Sequence, residues 1–210
     1  MRIRTMVAVI AGVVCIVSAS VASAQHHWDG QGWIHRGDDM PSIVHPDGDP
    51  LCGVEFPVGC LGNSDGHGGG HGGMAGPESL VCLVEPIDFD HHEGPIVAGF
   101  HCTIEEPGGA STLDGHCTRS GLFRQEVVVR VHYDHGRMAE LGLSDDELCL
   151  AYWTGSIWER CVDVTFDSSS QTFSVRTTQP AALYAVIPIA SSGVEAQAGS
   201  WGELKSVFVR

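Results

Sequence analysis

The segment Glu126-Val127-Val128-Val129-Arg130-Val131-His132-Tyr133 alternates with a period of two, the repeat of an extended strand with one face in a core and the other in water. Val127, Val129, Val131 and Tyr133 share one side, while Glu126, Arg130 and His132 share the other, so the first set faces the core. Short runs of the same kind predict strands over about 80–85, 96–104, 125–133, 147–153, 157–166, 171–177 and 182–189, parted by turn residues. Met138 to Leu143 reads as a turn of helix, and no long amphipathic helix is expected. Strands this short and this evenly spaced imply an all-β fold, an antiparallel β-sandwich of immunoglobulin-like type over 80–190. Trp153, Trp158, Phe166, Phe173, Val175 and Tyr184 read as core and turn packing rather than as a carbohydrate platform.

Composition changes near residue 79. Residues 25–79 are rich in Gly, His, Asp and Pro with few periodic apolar positions, which predicts loops or disorder. The extreme is Gly66-His67-Gly68-Gly69-Gly70-His71-Gly72-Gly73, where backbone entropy opposes any single conformation. The tail 191–210 leaves the last strand through Ala, Gly and Ser and is expected to fray.

Residues 1–24 have the layout of a signal peptide. Arg2 and Arg4 are followed by an apolar run from Met6 to Val17 and by Ala22-Ser23-Ala24, a small-residue cleavage site. As a helix the run spans about 18 Å, short of the roughly 30 Å bilayer core, so a cleaved leader is expected rather than an anchor. No other stretch is apolar enough to span. Losing Arg2 and Arg4 takes two basic residues and no acidic one from a chain of net charge −15, which becomes −17. An acidic protein whose one Lys is Lys205 lacks the clustered cations that nucleic acid requires. A secreted or periplasmic protein is expected, whose partners are cell-surface or extracellular proteins or polysaccharides.

Export bears on the cysteines, because thiols in an oxidising compartment tend to pair. Seven follow the leader: Cys52, Cys60, Cys82, Cys102, Cys117, Cys149 and Cys161. Leu148 to Trp153 and Ile157 to Val164 read as a hairpin around Thr154-Gly155-Ser156. A three-residue loop sets Trp153 opposite Ile157 and Cys149 opposite Cys161, and predicts a bridge between those two. Cys52 and Cys60 can close a small loop, and Cys82 can reach Cys102 or Cys117. No paired C-x-x-C knuckle for structural zinc is present.

All 12 His lie between 26 and 135, mostly in acidic, Gly-rich surroundings. Neutral imidazoles ligate copper, nickel and zinc, and His67 with His71, or His91 with His92 beside Asp88, Asp90 and Glu93, form candidate clusters. Cleavage after Ala24 places His27 third from the new amino terminus. Amine, two peptide nitrogens and that imidazole then make a square-planar set for copper(II) or nickel(II), unless Gln25 cyclises. Catalytic motifs are poorly supported. Gly62-Asn63-Ser64-Asp65-Gly66 fits Gly-x-Ser-x-Gly but lacks the strand before and the helix after that a nucleophile elbow needs. Asp145-Asp146 and Glu105-Glu106 are neighbours in sequence and suit turns or solvated surface better than acid–base work.

The order of Val127 to Asp134, then Leu148-Cys149-Leu150-Ala151-Tyr152-Trp153-Thr154-Gly155-Ser156-Ile157-Trp158, then Ala182-Leu183-Tyr184-Ala185-Val186 resembles the β-sandwich module shared by ankyrins, netrin receptors and zonula-occludens proteins, which also occurs in bacterial secreted proteins. The resemblance covers about 95–189. Some members of that family cleave themselves at a His-Phe-Ser segment before the Tyr-Ala strand. Aligned on Leu183 to Val186, those positions are Pro180, Ala181 and Ala182, and Ala182 has no nucleophile, so the resemblance implies no self-cleavage by that route. It implies a non-catalytic, structural, adhesive or interaction role at the bacterial envelope or exterior. Metal binding by the His-rich segment is the alternative, and a serine hydrolase through Ser64 a more distant one.

Overall fold

A computed structural model describes residues 26–61, 77–87 and 95–192, with the backbone alone for His26 and His27. Residues 1–25, the Gly-His tract with His67, His71 and Ser64, the segment holding His91 and His92, and residues 193–210 of the expected tail lie outside the described residues.

The alternation at 127–133 forms its strand. In β10 (Val127–His132), Val127, Val129 and Val131 are wholly buried while Val128, Arg130 and His132 are partly exposed. β10 pairs antiparallel with β4 (Gly53–Phe56) on one side and β14 (Thr172–Thr177) on the other. Beyond β4 lies β3 (Ser42–His45), which β1 (His26–Asp29) joins in parallel; beyond β14 lies β13 (Thr165–Asp167). These six strands form sheet A. Sheet B runs in the order β12 (Trp158–Arg160), β11 (Leu148–Trp153), β15 (Leu183–Pro188), β6 (Ala98–Glu106), β5 (Ser79–Pro86) and β2 (Gln31–His35). Every pairing along it is antiparallel, and β7 (Ala110–Ser111) adds to β6. β8 (Leu113–Asp114) and β9 (Cys117–Thr118) make a separate two-stranded ladder.

One apolar cluster takes side chains from both sheets, with Val129, Val131 and Phe173 from sheet A meeting Phe100, Ile104, Leu150 and Tyr184 from sheet B. A second cluster covers the other face of sheet B, where Ile87, Ile96, Trp158, Leu183 and Ile187 pack together with Trp153. All six residues of β15 are therefore buried. The helix α1 (His135–Leu141) begins three residues before the predicted turn, because the Asp134 carboxylate accepts the Gly136 and Arg137 N–H groups. It stops at Gly142, whose φ of +67° only glycine adopts freely.

Three expectations need correction. First, the strand expected over 157–166 is two strands in different sheets. The chain leaves sheet B after β12 and enters sheet A at β13, turning at Asp163 with φ +53°.

Second, the segment 25–79 is not a loop-rich lead where it is described: β1, β2, β3 and β4 all lie within it, and Ile34, Val44, Val54 and Phe56 belong to the shared core. Glycine there serves close packing. A Cβ on Gly32 would stand 2.6 Å from Val44 Cγ2 and 2.8 Å from Trp28 Cγ.

Third, the β11–β12 loop has four residues, Thr154 to Ile157, closed by the Thr154 N–H on the Ile157 carbonyl at 3.0 Å. Trp153 thus pairs with Trp158, and the Cys161 N–H bonds to Leu150 rather than lying opposite Cys149. One residue of slip turns each side chain to the other face. Cys149 joins the outer cluster and Cys161 packs on the shared core, so the register that set the two opposite each other is not the one found.

Candidate functional site

The outward side of sheet A is a solvated face, and strand register arranges it in rows. Glu55, Val128 and Arg176 align across β4, β10 and β14; Gly53, Arg130, Ser174 and Thr165 form the next row; His132, Thr172 and Asp167 form the third. Gly53 leaves its place in the second row empty of side chain. The Arg130 guanidinium donates to the Glu55 carboxylate on β4.

Two adjoining concavities follow. The larger, about 320 Å³, is lined by Glu55, Pro57, Glu126, Val128, Arg130, Asp163, Thr165, Ser174 and Arg176. The smaller, about 220 Å³, is lined by Pro50, Leu51, Arg130, Asp167, Ser170, Thr172 and Ser174. Arg130 and Ser174 belong to both. Asp163, at the point where the chain changes sheet, holds a left-handed backbone conformation that Asp tolerates better than most residues. At one end His132 Nδ1 stands 3.0 Å from Asp49 Oδ2. At the other edge Asp167 accepts the Ser169 hydroxyl at 2.7 Å, the Ser170 hydroxyl at 2.8 Å and the Ser169 N–H at 2.9 Å. The Ser169 hydroxyl, foremost among these donors, holds its carboxyl below the usual range, so this rim of the shelf keeps its negative charge into mild acid.

The shelf thus presents fixed carboxylates, guanidiniums and hydroxyls over a floor of Pro57 and Val128. Such a surface exchanges several hydrogen bonds with a polar ligand laid along it. Arg130, Glu126 and His132 were visible in sequence as the wet side of the β10 alternation. Their neighbours Glu55, Asp163, Thr165 and Ser174 were not, because cross-strand pairing alone brings them there.

Of the metal candidates, His27 lies on β1 paired with Ile43, its side chain undescribed, and His67, His71, His91 and His92 lie outside the described residues. Among the described residues no three His, Cys, Asp or Glu side chains gather as a metal site. No described helix is long and apolar enough to cross a membrane. No protein-family model matches the chain, and no curated protein matches it in sequence.

The structure joins none of the seven described cysteines to another. Burial pushes Cys52, Cys60 and Cys161 up to about 12. A thiol raised on folding contributes stability that is complete below its unfolded value of about 8.5 and is lost as pH rises toward the folded one. For protein kept reduced, the urea midpoint is expected to hold from about pH 6 to 8 and to fall steeply from about pH 9 to 12. A variant with Val at these three positions should fall less; equal slopes would show that the thiols are not the cause.

Proposed function

We propose that this chain is a secreted, non-catalytic module of β-sandwich, immunoglobulin-like type, which holds a polar partner at the bacterial cell exterior through the outward face of sheet A. The observation that carries the reading is the shelf itself, where side chains from four strands line two concavities that share Arg130 and Ser174. Two sheets with a common core, antiparallel except where β1 joins β3, support the sandwich assignment. The likeness of the Tyr-Asp strand, the Tyr-Trp hairpin and the Tyr-Ala strand to the ankyrin, netrin-receptor and zonula-occludens module agrees with it. The leader at 1–24 supports export.

The favoured partner is a cell-surface polysaccharide, because hydroxyl groups both donate and accept and so match a surface of mixed carboxylates, guanidiniums and hydroxyls. The test is co-sedimentation of the mature protein with insoluble envelope polysaccharide, beside Arg130→Ala and Ser174→Ala. Each variant is expected to bind about tenfold more weakly, as loss of a hydrogen bond worth roughly 1.4 kcal/mol would give. Wild-type binding unchanged in both variants would remove the shelf from the interaction.

A further inference from the structure

Cys82 and Cys102 face each other inside the shared core. Cys82 lies mid-strand in β5 and Cys102 in β6, with 0% and 1% of their surface exposed, and their Sγ atoms are 3.8 Å apart. The register pairs Cys82 with Ile104 and Cys102 with Val84, so the two thiols are diagonal neighbours on one face of an antiparallel ladder. Such neighbours have Cα atoms roughly 7–8 Å apart, and strand twist draws one of the two diagonals closer. The sulfurs, at 3.8 Å, have to close to about 2.05 Å to bond. Cys117, the other partner open to Cys82 in sequence, sits on β9 beside Ala181, on a different ladder.

We infer that Cys82 and Cys102 are the site of an intrachain disulfide that staples β5 to β6. The chemistry is thiol–disulfide exchange with an external disulfide. One cysteine thiolate attacks it and expels a first thiol, then the second cysteine attacks the mixed disulfide and expels another. The two cysteines lose two electrons and two protons, and one external disulfide becomes two thiols. Burial raises the Cys82 thiol well above its ordinary value and shuts out both water and exchange partners. The bond therefore forms before the core closes and resists reduction afterwards. It constrains a 20-residue separation that includes 88–94, the segment bearing His91 and His92.

The test starts from denatured, reduced full-length protein, refolded in glutathione and glutathione disulfide, blocked with iodoacetamide and digested at acidic residues. Glu85, Asp88, Asp90 and Glu93 lie between the two cysteines, so the digest separates them unless a bond joins them. Expected is a cross-linked pair of fragments holding Cys82 and Cys102, two hydrogens lighter than their sum and parted by reductant. Alkylation of both thiols, or linkage of Cys82 to Cys117 or any other cysteine, would overturn the assignment. Wild type refolded and kept in dithiothreitol is also expected to melt about 6–12 °C below wild type refolded in the glutathione mixture, and a Cys82→Ala, Cys102→Ala variant to melt nearly alike under the two conditions. An equal fall in both would count against the staple.

Discussion

A chain that starts at Ser79 and ends at Ser192 is expected not to fold, whereas one that starts at His26 is expected to unfold cooperatively in urea. The shorter chain loses β1 to β4, and with them Ile34, Val44, Val54 and Phe56, each at most 2% exposed. Burying a side chain of this kind contributes about 1.5–3 kcal/mol, so the four together contribute roughly 6–12 kcal/mol. That matches the whole stability of a typical domain, about 5–15 kcal/mol. Hydrogen bonding suffers as well. β10 loses its β4 partner and β5 its β2 partner, leaving Val127 and Val129 at an open edge. Circular dichroism and urea titration of the two chains decide the matter. A sharp transition in the shorter chain, with a midpoint close to that of the longer, would show that 26–56 is an appendage after all.

Gly53→Ala is expected to be the most damaging single methyl group that can be added near the shelf. Gly53 has φ +130°, and a Cβ there would lie 2.2 Å from the Val44 carbonyl oxygen and 2.8 Å from His45 Cα. Both obstacles are backbone of the paired strand β3 and cannot swing away. Left-handed strain adds about 1–3 kcal/mol and the overlap about as much again, so the expected loss is roughly 2–6 kcal/mol. Gly48→Ala is the internal control. Its φ is +82°, yet nothing lies within 4 Å of the added carbon, so only conformational cost remains, about 1–2 kcal/mol. Equal urea midpoints for the two variants would refute the close approach of β3 and β4.

The parts of the fold that alternation governs could be read from residues alone. β5, β6, β10, β11, β14 and β15 begin and end within about three residues of their expected bounds, because each repeats apolar groups at a period of two or is apolar throughout. The first four strands hid behind their composition. Gln31-Gly32-Trp33-Ile34-His35 offers the core one apolar side chain and one glycine, and β3 is only four residues long. Their stability comes from distant partners, β5 for β2 and β10 for β4, which no local window contains. The hairpin failed for a narrower reason. Trp153 and Trp158 flank the turn at either a three- or four-residue loop length, and the Thr154 hydroxyl, which accepts the Ile157 N–H at 3.3 Å, helps hold the longer one. The shelf was half legible, since β10 shows its polar side in sequence while the residues opposite depend on register.

The position of β15 sets an order of events for the newborn chain. It is the last strand of the described residues, yet it lies in the middle of sheet B, hydrogen-bonded to β11 on one flank and β6 on the other. Until residues 183–188 arrive, sheet B is two separate pieces, and Phe100 and Leu150 have no wall between them. A polypeptide emerging amino end first, from a ribosome or through a narrow channel, thus cannot complete its core early. It stays threadable until nearly all of it has passed, then closes by non-local strand pairing, the slow kind.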